Sequence, residues 1–317
     1  QCSHSSIVRG FLSPATNLRT DRYGGSLGNR ARLLLEIVDA VRQAVGTAVL
    51  GVRLCGDELI DRGTTIAEAV EVARMVEASG AVDYINTSIG VATATLYMIE
   101  ASMQIPPGYA MFIPSAIRQA VRLPVVGVGR FKDPLQADRA LEAGHCDLIG
   151  VVRGQIADPD FVAKARSGHA TDIRTCLSCN QECVGRMGLN RWLGCIENPR
   201  TGREAVALPA PRRAGRRVVV VGGGPAGLQA AVTATERGHR VTLLERQPRL
   251  GGQIPAAASV PSRAELLDIT RNLVAATGRL GVDVRTGVEA DAATVAALDP
   301  EVIVLATGAR PNRPWWA

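Results

Sequence analysis

Helical and strand patterns alternate strictly between residues 30 and 170, and this alternation limits the fold more than any other feature of the chain. Residues 30–45 carry apolar side chains at helical spacing, and residues 48–54 have the pattern of a buried strand. Three more pairs follow, with helices predicted at 66–78, 113–121 and 134–143 and strands at 82–86, 125–128 and 148–152. Such alternation predicts parallel strands joined by right-handed helical connections, and its even period favours a β/α barrel over an open sheet.

The number of strands predicts only half of such a barrel. Four complete strands are present, with a remnant of a further one at residues 1–5, whereas a closed β/α barrel needs eight. We therefore expect an α/β protein whose first domain is the C-terminal half of a (β/α)8 TIM barrel. On this interpretation the chain lacks the N-terminal half of the barrel.

Four of the seven cysteines fall close together, in the spacing C-x2-C-x3-C-x11-C. Thiolates this near to one another share a metal or oxidise, and three within eight residues can hold three corners of a 4Fe-4S cluster while the fourth arrives from a turn. Structural zinc is the alternative, although zinc more often uses two paired C-x2-C knuckles. The predicted ligands are Cys176, Cys179, Cys183 and Cys195.

Cysteine use, hydropathy and charge bear on the compartment and on partners. The other three cysteines are scattered singly, which is typical of a metal site in a reducing compartment. No apolar run reaches the roughly 18 to 20 residues of a membrane span, and the first residues lack the form of a signal peptide. The net charge of +6 comes from arginines spread along the chain rather than gathered in one block. We expect a cytoplasmic protein with no membrane and no nucleic-acid partner.

A second α/β domain is predicted where a strand at 217–221 runs directly into a glycine-rich turn. Gly222, Gly224 and Gly227 form the pattern G-x-G-x-x-G, and a helical pattern follows at 228–237. The first glycine of this motif makes a tight turn, the second lets the backbone approach a pyrophosphate, and the third packs the helix on the strand. The motif predicts a bound adenine dinucleotide, with a merely structural glycine turn as the alternative.

Three later segments support a dinucleotide site. Glu245 lies 18 residues after Gly227, at the end of the next predicted strand, where a carboxylate accepts the ribose hydroxyls. An acidic residue at this position favours FAD or NAD over NADP. Two further segments fit an FAD domain of the flavin disulfide reductase type: Leu250-Gly251-Gly252-Gln253 and Ala306-Thr307-Gly308.

Together these features resemble the 2,4-dienoyl-CoA reductase and old yellow enzyme family, in its longer form that carries FMN, a 4Fe-4S cluster and FAD on one chain. The resemblance runs over nearly all of the sequence. Within the family, Cys2-Ser3-His4-Ser5-Ser6 and Pro106-Pro107-Gly108-Tyr109 resemble a branch associated with mycofactocin gene clusters. The family motifs are Phe11-Leu12-Ser13-Pro14, Tyr23-Gly24-Gly25-Ser26, Ile156-Ala157-Asp158-Pro159-Asp160 and Cys176-Leu177-Ser178-Cys179-Asn180.

The resemblance implies three segments. Residues 1–173 would form the FMN-binding half barrel, residues 174–214 the cluster segment and a linker, and residues 215–317 a Rossmann-like domain for FAD and NAD(P). This last domain also looks incomplete, because the chain ends just after its strand at 302–305.

The resemblance also implies that FMN lies at the C-terminal mouth of the barrel. Arg53 resembles the family's arginine beside the flavin pyrimidine edge, where a cation stabilises negative charge on the reduced ring; an ordinary salt bridge at the strand end is the alternative. The FMN phosphate site is matched by residues that follow the last two strands, although a tight loop would also explain the glycines. These residues are Gly127, Gly129, Arg130, Val152 and Arg153.

The catalytic positions depart from the family pattern. Ser6 stands where many relatives have a tyrosine proton donor, and Gln1 stands where they have a histidine. His4 matches the second His/Asn position, so it is the candidate for proton delivery or for hydrogen bonding to substrate or flavin. Tyr97 and Tyr109 could supply a phenol, with packing as the alternative role of each.

The function that the resemblance implies is an NAD(P)H-dependent oxidoreductase that reduces an activated C=C bond of a small molecule. Two alternatives remain open at this point. The same cofactors serve amine dehydrogenases that oxidise a C–N bond, and a chain with half a barrel could be an incomplete, inactive cofactor-binding fragment. The sequence also leaves a homo-oligomer open.

Overall fold

The computed structural model describes residues 1–206, 215–309, 312 and 316, and it divides the chain into two compact units. The first unit comprises Gln1–Gln155 and Ser178–Asn180, and the second comprises Ile156–Leu177 and Gln181–Ala317. The three-segment division expected from the sequence stays a prediction. Its linker falls largely on residues 207–214, which lie outside the described residues.

A four-stranded parallel sheet, with its strands in chain order, forms the centre of the first unit. Helices separate consecutive strands, which is the arrangement of one half of a (β/α)8 barrel. The strands are β1 (Gly51–Cys55), β2 (Tyr84–Ser88), β3 (Val125–Gly127) and β4 (Leu148–Ile149). The helices are α1 (Ile7–Leu12), α2 (Leu27–Val45), α3 (Ile66–Ala78), α4 (Leu96–Ile99), α5 (Phe112–Ala120) and α6 (Pro134–Glu142), and the short helix α7 (Arg153–Ala157) contains the division between the two units.

The core of this unit lies between the outer face of the sheet and the helices. Polar N-caps begin the longer helices, since Ser26, Thr65 and Asp133 each accept a hydrogen bond from a backbone amide of the first turn. Fully burying one large aliphatic side chain contributes roughly 1.5–3 kcal/mol. The largest fully buried side chains of this core are Leu34, Leu54, Val76, Ile85, Ile113 and Ile117.

The first residues differ from the expected strand remnant at 1–5. Only Cys2 pairs with the sheet, through an isolated parallel bridge to Leu54. His4 then takes a left-handed backbone conformation with φ of 61°, which turns the chain into α1. The expected strand is therefore a single bridge.

The second unit is built on another four-stranded parallel sheet, in the order β7-β6-β5-β8. The central position of β5 between β6 and β8 creates a switch point at the carboxyl ends of the strands, where doubly wound sheets bind their ligands. The strands are β5 (Arg217–Val221), β6 (Arg240–Glu245), β7 (Asp283–Thr286) and β8 (Val302–Leu305). The helices are α8 (Phe161–Arg166), α9 (Arg186–Gly188), α10 (Pro225–Glu236), α11 (Ile254–Ala258), α12 (Leu267–Arg279) and α13 (Ala292–Ala296).

Shorter helical turns complete this unit. A π-helix at Gln181–Gly185 contains Cys183, and 3-10 turns lie at Ala170–Asp172 and Ala264–Leu266. Across the part of the chain that the structure describes, no helix is both long and apolar enough to cross a membrane.

Candidate functional site

Arg53 and Asn86 stand side by side on the sheet of the first unit. They are direct partners in the pairing of β1 with β2. Arg53 Nε and Asn86 Oδ1 are both buried, and neither has a hydrogen-bond partner among the described residues. A buried donor and a buried acceptor without partners cost free energy unless a ligand supplies the missing groups. The two atoms therefore fit the polar edge of a ring such as the flavin pyrimidine.

The electrostatics of Arg53 agree with a ligand site rather than with a strand-end ion pair. Burial lowers the pKa of the Arg53 guanidinium, and the charges of Glu100, Cys55 and Tyr109 oppose this effect. Glu100 acts through its charge and not through a hydrogen bond to Arg53. A half-buried cation held in this way attracts negative charge on a bound group.

His4 lies near Arg53, and its imidazole is neutral at physiological pH. Burial, and then the positive charge of Arg53, lower the pKa of His4 from 6.5 to about 4. A neutral imidazole carries one N–H donor and one acceptor, and it is a weak proton donor. His4 is therefore suited to hydrogen bonding with a ligand more than to delivering a proton as an imidazolium.

We expect the pH dependence of stability to follow from this lowered pKa. The unfolded chain binds a proton at His4 near pH 6.5 and the folded chain only near pH 4, so protonation favours unfolding. The free energy of unfolding should fall as the pH drops from 6.5 to about 4. His4→Gln should remove the contribution of His4 to this loss of stability. An NMR titration of the His4 ring should show a midpoint well below 6.5 that rises in Arg53→Met. A midpoint at 6.5 in the wild-type chain would contradict the burial assigned to His4.

The two tyrosines differ in their surroundings. The Tyr109 hydroxyl donates a hydrogen bond to the carbonyl of Met98, and burial raises the pKa of Tyr109. Its proton is therefore held by the backbone. Tyr97 is 65% exposed on α4. Packing is the role that the structure favours for Tyr109.

The glycines proposed to cradle the FMN phosphate are closely packed. A Cβ on Gly127 would lie 2.8 Å from Cys146 Sγ, and one on Gly129 would lie 3.2 Å from Met111 Cε. The Gly129 carbonyl accepts a hydrogen bond from Gly108 N at 2.7 Å. Packing alone thus requires small residues here, and the phosphate role stays a prediction.

Arg130 and Arg153 contact the residues on either side of Cys179. Arg130 Nη1 donates to Ser178 Oγ at 2.8 Å, and Arg153 Nη1 donates to Asn180 Oδ1. Both arginines belong to the predicted phosphate site. Val152, which was predicted for the same site, is 72% exposed. The sequence assigned them to phosphate and did not predict that they hold the loop around Cys179.

The four clustered cysteines are all partly exposed. The backbone amides of Glu197 and Asn198 donate hydrogen bonds to Cys195, burial raises the pKa of its thiol, and the charge of Cys176 adds to that rise. Cys176 and Cys195 are thus neighbours, although they are the first and last cysteines of the motif. Amide hydrogen bonds to sulfur are one of the means by which proteins tune cluster thiolates.

Among the described residues, no group of three or more His, Cys, Asp or Glu side chains is placed so that it could hold a metal ion. Structural zinc draws its sulfur ligands to about 2.3 Å from one point. The choice between a 4Fe-4S cluster, in which each thiolate binds a different iron, and structural zinc therefore stays a prediction from the spacing of the cysteines.

The glycine-rich turn of the second unit requires glycine at two of its three motif positions. Gly222 adopts φ of 110°, a conformation that favours glycine. A Cβ on Gly227 would lie 1.8 Å from the Gly222 carbonyl oxygen. Gly224 is the N-cap residue of α10, which begins directly after the three glycines that follow the end of β5. The turn thus brings backbone donors to the switch point of the sheet.

Glu245 lies beside this turn. Its Oε2 accepts a hydrogen bond from Gly223 N at 2.6 Å, and its Oε1 accepts one from Gln247 N at 2.8 Å. Each carboxylate oxygen offers about two lone pairs, so one per oxygen remains for the hydroxyls of a ribose.

The later segments approach the same edge. Gly252 adopts φ of 56° and packs against the backbone of the glycine turn. A Cβ added to Gly252 would lie 3.1 Å from Gly224 Cα. Gln253 Nε2 donates to the Ala309 carbonyl at 2.7 Å, just beyond Thr307 and Gly308. The structure thus brings together the glycine turn and both later segments.

Comparison with known proteins gives the family. Residues 2–172, more than half of the chain, match the NADH:flavin oxidoreductase / NADH oxidase family, and residues 217–302 match the FAD dependent oxidoreductases. The chain belongs to the NADH:flavin oxidoreductase / NADH oxidase family. The family resemblance stated from the sequence and the predicted fold class are both confirmed, and the branch associated with mycofactocin gene clusters stays a prediction.

Individual members of the NADH:flavin oxidoreductase family match nearly all of the chain. It is 40% identical to an NADH oxidase of Thermoanaerobacter brockii over 98% of this chain and 48% of that protein. It is 41% identical to an N,N-dimethylglycine/sarcosine dehydrogenase of Chromohalobacter salexigens over 97% of this chain and 45% of that protein. The structure of a 2-naphthoyl-CoA reductase superposes with a TM-score of 0.94 at 33% identity, over 99% of this chain and 48% of that one. The chain spans about half the length of these relatives.

Proposed function

We propose that the chain is part of an NAD(P)H-dependent iron-sulfur flavoprotein, in which electrons pass from NAD(P)H through FAD and a 4Fe-4S cluster to FMN and reduce an activated C=C bond. One observation carries this proposal. A segment of the FMN oxidoreductase family and a segment of the FAD oxidoreductases share one chain, and the four-cysteine motif lies between them. A cluster bound there would supply single-electron steps between two flavins. We place the protein in the cytoplasm.

The first unit would hold FMN through polar groups that now lack partners. Arg53 Nε and Asn86 Oδ1 are a donor and an acceptor in adjacent positions, which complement the alternating acceptors and donors of a flavin edge. The positive charge of Arg53 stabilises negative charge on a reduced ring. His4, neutral and near Arg53, would donate a hydrogen bond to substrate or flavin. Gly127, Gly129, Arg130, Val152 and Arg153 would face the phosphate.

The second unit would hold FAD at the carboxyl edge of its sheet. Gly222, Gly224 and Gly227 would face the pyrophosphate, and Glu245 would accept the ribose hydroxyls. Gly252, Gln253, Thr307 and Gly308 would line the same FAD site. Cys176, Cys179, Cys183 and Cys195 would bind the cluster through their thiolates.

Amine oxidation is the second candidate function. It is favoured by a specific observation, the 41% identity to an N,N-dimethylglycine/sarcosine dehydrogenase over 97% of the chain. In that case electrons would leave the substrate's C–N bond and pass through the same sites in the opposite direction.

The experiment that separates these functions uses the anaerobic chain loaded with FMN, FAD, iron and sulfide. In a sample whose flavin has first been reduced with dithionite, we expect a simple enone to reoxidise the flavin. In a separate oxidised sample, we expect a tertiary amine to leave the flavin unbleached. Bleaching by the amine without reoxidation by the enone would replace the proposal with the second candidate. Bound flavin that responds to neither compound would identify an inactive cofactor-binding fragment.

Arg53→Met should slow reoxidation by the enone at least tenfold, which corresponds to about 1.4 kcal/mol of transition-state stabilisation. The loss follows from removing the cation beside the ring. Arg74→Met is the matched control, since Arg74 is an exposed arginine of α3 that pairs with Glu71. Equal rates in the wild type and Arg53→Met would remove Arg53 from the site.

A further inference from the structure

Asn272 on α12 uses its whole side-chain amide to hold the cysteine segment. The residue is buried, at 9% exposure. Its Oδ1 accepts a hydrogen bond from Thr175 N at 3.4 Å, while its Nδ2 donates to Thr175 O at 3.2 Å and to Glu197 Oε2 at 2.6 Å. One amide therefore binds two stretches of chain.

These two stretches of chain flank the cysteine motif. Thr175 directly precedes Cys176, and Glu197 follows Cys195 by two residues. The amide of Glu197 itself donates a hydrogen bond to Cys195. The first and last cysteines of the motif are thus fixed to the same side chain of the dinucleotide-binding unit.

Neighbouring residues support this arrangement. Arg271 Nη2 donates to Thr175 Oγ1 at 2.6 Å and to Asn272 Oδ1 at 3.3 Å. Arg174 Nη1 donates to the carbonyl of Glu197. Of the uncharged side chains, a carboxamide suits this place because it can donate to a carboxylate and at the same time pair with both backbone groups of one residue.

We propose that Asn272 is a positioning residue for the 4Fe-4S cluster. From its place on α12, Asn272 would fix how far Cys176 and Cys195 lie from each other. This proposal rests on the proposed function, since it assigns ligands to the cluster. Replacing the amide by a carboxylate would set two acceptors against each other at Glu197 and would remove the donor to Thr175 O. The two cysteines would then lose their common anchor, although both thiols would still be present to bind iron.

The test compares Asn272→Asp with Val274→Ala, a change at a residue of α12 that is 37% exposed. We expect N272D to shift the midpoint potential and the EPR line shape of the reduced cluster and to speed iron release to a chelator at least tenfold, with FAD content unchanged. The double variant N272D/E197Q restores a donor opposite an acceptor, so it should recover part of each effect. V274A should match the wild type.

Unchanged potential, line shape and iron release in a folded N272D would overturn the proposal. A second measurement tests the positioning role of Asn272 independently of whether the chain binds a cluster. In the metal-free chain, a short cross-linker with two thiol-reactive groups should join Cys176 to Cys195 at a lower yield in N272D than in the wild type. Equal yields would overturn the positioning role, whether or not the wild-type chain takes up iron.

Discussion

Gly227→Ala is expected to weaken FAD binding by the second unit at least 100-fold, or about 2.7 kcal/mol. The added Cβ would lie 1.8 Å from the Gly222 oxygen and 3.0 Å from the Gly222 carbonyl carbon. Both are backbone atoms of the turn that would face the pyrophosphate. Relief of the clash must therefore move the turn or the start of α10, and either movement displaces the amides that bind the ligand. Equilibrium titration with FAD measures the effect.

Gly278→Ala is the matched control for this prediction. Gly278 lies within α12 of the same unit, and nothing stands within 4 Å of a Cβ placed there. Alanine in a helix interior stabilises by roughly 0.5–1 kcal/mol relative to glycine, so this variant should bind FAD as the wild type does. Wild-type affinity in Gly227→Ala would show that the turn is not a dinucleotide site.

The second large effect is expected at Glu58, whose replacement by alanine should destabilise the first unit by about 3–5 kcal/mol. Glu58 is fully buried, and its carboxylate accepts hydrogen bonds from Arg9 Nε at 2.6 Å, Ser13 Oγ at 2.6 Å and Thr64 N at 3.0 Å. The Arg9 side chain is itself only 10% exposed. Removing Glu58 leaves this cation buried without its counter-charge. Chemical denaturation followed by circular dichroism measures the loss.

The control for Glu58 is an ion pair of the same type on the surface. Asp21 pairs with Arg19, and both side chains are about half exposed. Exposed pairs contribute little because water screens their charges, so Asp21→Ala should leave stability nearly unchanged. A loss below about 1 kcal/mol in Glu58→Ala as well would contradict the burial of the Arg9–Glu58 pair.

Local sequence patterns were sufficient to predict the bounds of those helices and strands that are determined by residues close together in the sequence. The helix at 66–78 and the strands at 217–221 and 302–305 were predicted with the bounds that the structure has. Periodicity and capping decide these elements, and both are visible in a short window. The glycine motif was equally readable, because its geometry follows from the residues themselves.

The contacts that organise the sites join residues that are distant in sequence. Asn272 meets Thr175 across 97 residues, and Arg130 meets Ser178 across 48. Neither partner carries a motif that marks the other. The lowered pKa of His4 likewise depends on burial and on Arg53, which only the fold brings near. Glu58 escaped notice because a single acidic residue in a loop carries no signal of its burial.

We expect this chain to bind a 4Fe-4S cluster together with flavin, and the composition and visible spectrum of the anaerobically purified chain measure this binding. We predict flavin absorption bands over the broad visible absorption of a cluster, about four iron and four sulfide per chain, and loss of the iron in Cys195→Ser. One zinc per chain without sulfide, or the absence of both flavin bands and cluster absorption, would contradict the claim.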